Sequence, residues 1–292
     1  IIRGLVGSEM CIRDRLNRLI EQKVSITSRK SQTTRNNILG IKTKDNHQMV
    51  FIDTPGVHIN ASKVMNKVLN QSALGAIEDA DLIIFMLQRN KINTLDELIL
   101  ERLKGVETKK ICVINKLDQV ASINSLLPVV EKLRSENDFA EIIPVSAKTG
   151  KNINELENMI CQNLPENNHL YDSETKFLAK ESFMISEIIR EKIIRFLGEE
   201  LPHETYVQLQ KLEDKENIIN IDAEIIVARE SQKGIVVGKN GAKLKKIGEK
   251  ARIDLEKFFN KKVFLKTWVK TKKNWNNDSD FISSLGIGSL YD

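Results

Sequence analysis

The residues with the most specific chemical use in this chain are Asn115, Lys116 and Asp118, in the run Asn115-Lys116-Leu117-Asp118. They follow Ile111-Cys112-Val113-Ile114, a short apolar run rich in β-branched residues. Such a run reads as a strand buried on both faces of a parallel sheet. Residues just past its carboxyl end sit where open α/β sheets bind ligands. There the Asp118 carboxylate can accept from both the ring N–H and the exocyclic amine of guanine, whereas adenine offers neither donor in that arrangement. The Lys116 stem can lie over the base, and Asn115 can tie neighbouring loops together. A polar turn after a strand could carry the same letters, so this run alone points to a purine pocket without establishing one.

Two other segments end expected strands. Asp53-Thr54-Pro55-Gly56 offers a carboxylate at a strand end and a Gly whose N–H can approach closely, which suits a Mg²⁺-phosphate site. A Pro-Gly turn with no ligand fits the same residues. Ser146-Ala147-Lys148 can set the Ala147 N–H against guanine O6, an acceptor that adenine lacks.

The elements that must position these residues follow from periodicity. Strands are expected over 37–43, 48–52, 81–87, 111–114 and 141–145, with helices over 61–77, 95–103, 123–136 and 153–163. That alternation predicts an α/β fold with a doubly wound, mostly parallel sheet. A polar stretch over 164–175, containing Pro165, reads as a linker. Beyond it the pattern changes to a long helix over 177–197, an antiparallel strand pair over 205–212 and 218–229, and a helix leading into Gly238-Lys239-Asn240-Gly241. A basic helix over 242–259, a strand over 262–270 and a tail with Trp275 complete the chain. The expected division is 1–15, a segment unlike the rest, then 16–164, a linker 165–176, a second domain 177–273 and a tail 274–292.

Composition bounds the function. The chain has 292 residues, enough for two cores, and its 41% hydrophobic and 29% charged content is ordinary for a globular protein. No apolar run approaches bilayer length, and no secretory signal is visible. Cys11, Cys112 and Cys161 are scattered, which argues against a disulfide framework or zinc site and fits a reducing cytoplasm. Between Ser231 and Lys273, Lys and Arg outnumber Asp and Glu roughly four- to fivefold, which points to a polyanionic partner.

Taken together, the segments at Asp53, Asn115 and Ser146 resemble a translational-type GTPase domain. Gly238-Lys239-Asn240-Gly241, with Lys243, Lys245 and Lys246 on the following helix, resembles the loop of KH domains, where glycine backbone clamps an RNA strand. A Gly-rich helix-helix turn with a solvated basic face is the bland alternative. The two halves in this order resemble the Era family of ribosome-assembly GTPases, through QKVSITSRKSQTTR (22–35), DTPGVH (53–58), EIIREKIIRFLGEEL (187–201) and GIVVGKNGAKLKKIG (234–248).

The resemblance implies a P-loop NTPase-like sheet followed by an α+β type II KH domain. It implies GTP hydrolysis, with GTP/GDP and Mg²⁺ as cofactors. Thr34, or else Thr33, would reach Mg²⁺, Asp53 would hold it through water, and the Gly56 N–H would contact the γ-phosphate. Asn115, Lys116, Asp118, Ser146, Ala147 and Lys148 would hold the base. Gly238, Lys239, Asn240, Gly241, Lys243, Lys245 and Lys246 would bind RNA. The implied partners are small-subunit ribosomal RNA and the pre-ribosomal small subunit, met by a cytoplasmic monomer; peripheral attachment to the inner membrane is a weaker option. Val57 stands where Ras-like proteins keep a water-orienting Gln, so slow intrinsic hydrolysis is expected. His58 has no visible partner and reads as structural.

The resemblance breaks before Leu16, where the family carries G-x-x-x-x-G-K-S-T. In register, Val6 and Cys11 replace the glycines, Ile12 the phosphate Lys, Arg13 the Mg²⁺ hydroxyl and Asp14 the next Thr. The Cβ atoms obstruct the tight loop and Asp14 would repel a triphosphate. One reading is a degenerate GTPase. The preferred one is a foreign segment, similar to translated adaptor or vector read-through, with the first sheet strand and phosphate loop missing. Weak or absent GTP binding is expected, and a nucleotide-independent RNA-binding module is the alternative function.

Overall fold

The computed structural model describes residues 2–7, 38–53, 63–78, 80–175, 177–178, 180–197 and 204–287. Two sheets organise them. The first contains β1 (Ile2–Gly7), β2 (Ile38–Lys44), β3 (His47–Asp53), β4 (Leu82–Gln88), β5 (Lys110–Asn115), β6 (Glu141–Pro144) and β7 (Phe177–Leu178), in the order β6-β5-β4-β1-β3-β2-β7. β3, β1, β4, β5 and β6 run parallel, while β2 and β7 pair antiparallel at one edge. Asp53, Gly7, Gln88, Asn115 and Pro144 therefore end on one edge of the sheet.

Strand alternation sorts the core into two layers. Leu82, Ile84, Met86, Ile111 and Val113 pack with Ile153, Leu156 and Ile160 of α4 (Ile153–Asn163). Ile83, Phe85, Leu87, Cys112 and Ile114 face Ile99 and Leu103 of α2 (Thr94–Leu103) and Leu133 of α3 (Leu127–Glu136). The remaining helix of this unit, α1 (Val64–Glu78), follows β3. Burial on both faces is why these strands read as unbroken apolar runs.

Three expectations need correction. The first strand is not lost: Ile2–Gly7 fills the slot between β3 and β4, with Arg3 opposite Ile52 and Val6 opposite Phe85. An empty slot would leave two buried strand edges without backbone partners, and even a mismatched sequence with Ile2, Leu5 and Val6 can supply them. The long helix does not begin at Phe177. Phe177–Leu178 pairs with Leu39 and Gly40 of β2, and α5 (Glu181–Phe196) starts after the extended Lys180. The helix over 123–136 is a 3₁₀ turn, Ile123–Leu126, followed by α3, whose first turn holds Pro128, a place where proline lacks nothing. Within the expected linker, the Leu170 and Tyr171 N–H groups donate to Gln48 Oε1 at 2.8 and 2.9 Å, which anchors it to the first sheet.

The second sheet contains β8 (Thr205–Asp214), β9 (Ile218–Val227) and β10 (Lys262–Thr271), in the order β10-β9-β8. β8 and β9 are antiparallel, as expected, and β10 joins parallel to β9. α5, α6 (Glu230–Val237) and α7 (Ala242–Phe259) cover one face through Ile189, Ile193, Val236, Ile247, Ala251 and Leu255. The tail carries α8 (Ser279–Ser284) and buries Trp275 against Met65 and Leu69 of α1, joining the two units.

Candidate nucleotide site and nucleic-acid interface

β5 delivers Asn115, which is buried, to the carboxyl edge of the first sheet. Its Oδ1 accepts from the Ala147 N–H at 3.2 Å, so Asn115 does tie the neighbouring loop. Asp118 is exposed, and its Oδ1 accepts from the Ser146 hydroxyl at 2.6 Å. Ser146 Oγ in turn accepts from the Thr149 N–H at 3.2 Å. The Leu117 N–H donates to the Val145 carbonyl at 3.1 Å, and the Val145 N–H to that of Ile114 at 2.8 Å. Two segments some thirty residues apart thus form one preorganised cup.

A carboxylate oxygen offers two lone pairs, so the Ser146 bond leaves Asp118 able to accept both guanine donors. The Ala147 N–H reaches a base oxygen only as a donor shared with Asn115. Lys116 adopts a left-handed backbone, φ 61°, and its Nζ donates to Gln88 Oε1 at 2.9 Å, which lays the stem along the end of β4. Lys148 is exposed beside the cup. Asp53 ends β3 on the same edge, three strands away, about 14 Å at the usual strand spacing. Thr33, Thr34, Thr54, Pro55, Gly56, Val57 and His58, and residues 8–15 of the phosphate-loop position, lie outside the described residues.

The second site lies between α6 and α7. Gly238 has φ 72° and a Cβ there would sit 2.6 Å from the Lys243 Cβ, so only glycine fits. Asn240 and Gly241 also adopt positive φ, 52° and 77°. The turn opens onto a groove of about 550 Å³ between α7 and β10, lined by Gly241, Lys245, Gly248, Arg252 and the strand around Leu265. Among the expected RNA residues, Gly238, Lys239, Asn240, Gly241, Lys243 and Lys245 gather at the turn and groove. Lys246 does not, because one residue turns a helix by about 100°. Its Nζ sits 5.2 Å from the Phe196 ring instead. Arg252 and the β10 wall line the same groove without being evident from charge clustering; the spacing Gly241, Lys245, Gly248, Arg252 marks one helical face and is the signal that points to Arg252.

The joint between units has its own polar network. Lys63 Nζ, just before α1, donates to Glu204 Oε1 at 2.8 Å, and Gln232 of α6 donates to Glu204 Oε2. Gln232 Oε1 accepts from the Ala228 and Arg229 N–H groups, both at 2.9 Å, fixing the start of α6. Burial pushes the Glu204 carboxyl up, but the bonds from Lys63 and Gln232 outweigh it and hold the carboxyl below its ordinary value of 4.5. A depressed carboxyl stabilises the fold fully above its unfolded pKa, and the contribution fades as pH falls through the folded value. Glu204→Gln is therefore expected to lower the melting temperature at pH 7, and the gap from the unsubstituted chain should close towards pH 3. Calorimetry across that range checks this; a gap constant with pH would contradict the charge argument.

Comparison with known proteins covers both units. The family described as 50S ribosome-binding GTPase matches residues 15–116, and the family described as KH domain matches residues 200–276. The GTPase Era of Coxiella burnetii is 44% identical over 272 residues, covering 93% of this chain and 92% of that protein. The GTPase Era of Actinobacillus pleuropneumoniae is 42% identical over 272 residues, covering 93% and 90%. Among solved structures, an Aquifex aeolicus Era variant bound to GDP·AlF₄⁻ superposes with a TM-score of 0.92 at 33% identity over 97% of each chain. Era in complex with MgGDPNP and nucleotides 1506–1542 of 16S ribosomal RNA gives 0.92 at 32% identity, over 98% of this chain and 99% of that one. With both family models and relatives matched over nine-tenths of their own length in agreement, the chain belongs to the Era family of GTPases, GTP hydrolases that carry a KH domain.

Proposed function

We propose that the chain descends from a GTP-switched RNA-binding protein of small ribosomal subunit assembly. In this reading a guanine nucleotide sits at the carboxyl edge of the first sheet, and a single strand of small-subunit ribosomal RNA lies in the groove between α7 and β10. The observation that carries it is the pair of bonds joining Asn115 to Ala147 and Asp118 to Ser146, which build a cup with the acceptors and donor that guanine needs. The RNA complex of a relative with 98% coverage supports the second half.

The roles follow from the chemistry. Asp118 accepts from the base, Lys116 covers it, and Ser146 orients the Asp118 carboxylate. Asn115 holds the Ala147 loop, and Lys148 adds positive charge at the rim. Asp53 and Thr34 are the proposed Mg²⁺ residues and Gly56 the γ-phosphate contact. Mg²⁺ in such sites takes few protein oxygens and several from phosphate and water, which fits a carboxylate at the end of β3. When bound, the ion neutralises charge on the phosphates. Changes at Thr34 and Gly56 would act on the second unit through α1, which begins at Val64 and packs on Trp275.

The reading has the protein act as a cytoplasmic monomer at the pre-ribosomal small subunit. Among the described residues no helix is long and apolar enough to cross a membrane. The basic face is assigned to RNA; its use for peripheral attachment to an anionic membrane is the weaker reading. For this chain as it stands, Cys11, Ile12, Arg13 and Asp14 at the phosphate-loop position favour impaired GTP binding. They also keep alive the second reading, a nucleotide-independent RNA-binding module on a GTPase scaffold.

Lys239→Glu tests the RNA half. Affinity for an RNA corresponding to nucleotides 1506–1542 should fall on the order of tenfold at low salt, and the loss should shrink as salt rises. Fluorescence anisotropy across a salt series reads both; equal affinities at every salt concentration would sink the proposal.

A further inference from the structure

We infer a second single-stranded RNA surface on the outward face of β10, continuing the path of the strand held in the groove; it rests on the RNA-binding reading above. Residues of a strand alternate between faces. Val263, Leu265 and Val269 belong to the core cluster under the helices. Lys262, Phe264, Lys266, Trp268 and Lys270 therefore share the opposite face. Phe264 is 57% exposed and belongs to no core cluster. Three lysines interleaved with two aromatic rings on one flat strand form the pattern that binds single strands, with rings stacking on bases and cations meeting phosphates.

The Trp268 ring is held in place. Trp268 Nε1 donates to Glu224 Oε1 at 2.9 Å across the register pair Trp268–Glu224, which fixes the plane of the indole. Lys266 Nζ lies 5.8 Å from the same ring. β10 is the outer strand of its sheet; its inward side lines the groove with α7, and Phe264 stands at the groove's rim. An RNA strand leaving the groove over this edge meets Phe264 first. Asp222 and Glu224 on β9 lie opposite Lys266 and Trp268, so phosphates are confined to the outer strand. The tail and α1 cover the Tyr206–Ile226 end of the face, leaving the Phe264 end open. The alternation of charge with ring favours a polyanion over an apolar protein partner.

The test uses the full chain, the 1506–1542 RNA and its tightest-binding four-nucleotide fragment, since a KH clamp holds four nucleotides. Phe264→Leu removes the ring but keeps an apolar side chain at an exposed position; Phe264→Tyr keeps the ring. Expected is an affinity for the long RNA about tenfold lower for Phe264→Leu and unchanged for Phe264→Tyr. The four-nucleotide fragment should lose clearly less than the long RNA with Phe264→Leu, since Phe264 meets the groove only at its rim. If Phe264→Leu binds the long RNA normally, or loses the fragment equally, the second surface is refuted. Lys239→Glu distinguishes the underlying reading: it should weaken both RNAs, and if it weakens neither, the clamp itself fails whatever Phe264 does.

Discussion

Rebuilding the phosphate loop with Val6→Gly, Cys11→Gly, Ile12→Lys, Arg13→Ser and Asp14→Thr together is expected to raise GTP affinity by at least on the order of a thousandfold. Charge-assisted hydrogen bonds contribute about 1.5–3 kcal/mol each, and two or three gained at the phosphates suffice for about 4 kcal/mol. The substitution of Asp14 also removes a repulsive charge. The scaffold is ready for the change: β1 already lies between β3 and β4 and ends at Gly7 on the nucleotide edge. Val6→Gly costs about 0.5–1 kcal/mol of strand stability, well below the expected gain. Isothermal titration with Mg²⁺ present measures the effect. An affinity unchanged by the rebuilt loop would mean that the cup at Asn115 and Asp118 does not serve a nucleotide.

Trp275→Ala is the second large effect. Trp275 is fully buried, with its ring 6.0 Å from that of Tyr206 and 6.4 Å from that of Phe281. Its Nε1 donates to the Glu204 carbonyl at 3.1 Å. It is also the centre of the cluster joining α1 to β9 and the tail. Removing a buried Trp costs about 3–5 kcal/mol through lost burial and the cavity left behind. Urea unfolding should show that loss, and hydrogen exchange should quicken in α1 and α8 before it does in β5. A loss under about 1 kcal/mol, within the range of surface substitutions, would show that the joint does not depend on this side chain.

What the sequence disclosed follows from physics acting at short range. The central strands β4 and β5 were legible because burial on both faces leaves almost nothing but apolar residues, as in Leu82–Leu87. The proposed guanine cup was legible because its residue types would be demanded by the base rather than by packing. The Phe177–Leu178 strand was not, since a two-residue edge pairing leaves no period and its partner lies far back in the chain. The β1 strand was discounted for belonging to a segment that fits no family pattern, although β pairing needs only backbone and modest apolarity. Buried charges on α5 were equally hidden. Arg190 Nε and Nη2 donate to the two Glu187 oxygens at 2.6 and 2.8 Å, a pair that sequence alone would assign to solvent. Lys246 shares its charge with Lys243 and Lys245 but sits on another helix face, beside Phe196, which charge alone does not reveal.

The central claim is that Asp53, Asn115, Asp118 and Ala147 serve one purine nucleotide on one sheet edge. The most direct test is competition between GTP and ATP on the loop-rebuilt chain, with and without Asp118→Ala. A site that hydrogen-bonds guanine should prefer GTP by on the order of 10⁴-fold. Asp118→Ala should bring the two nucleotides to within about tenfold of each other. Comparable binding of ATP by the rebuilt chain, or a GTP preference that survives the loss of Asp118, would contradict it.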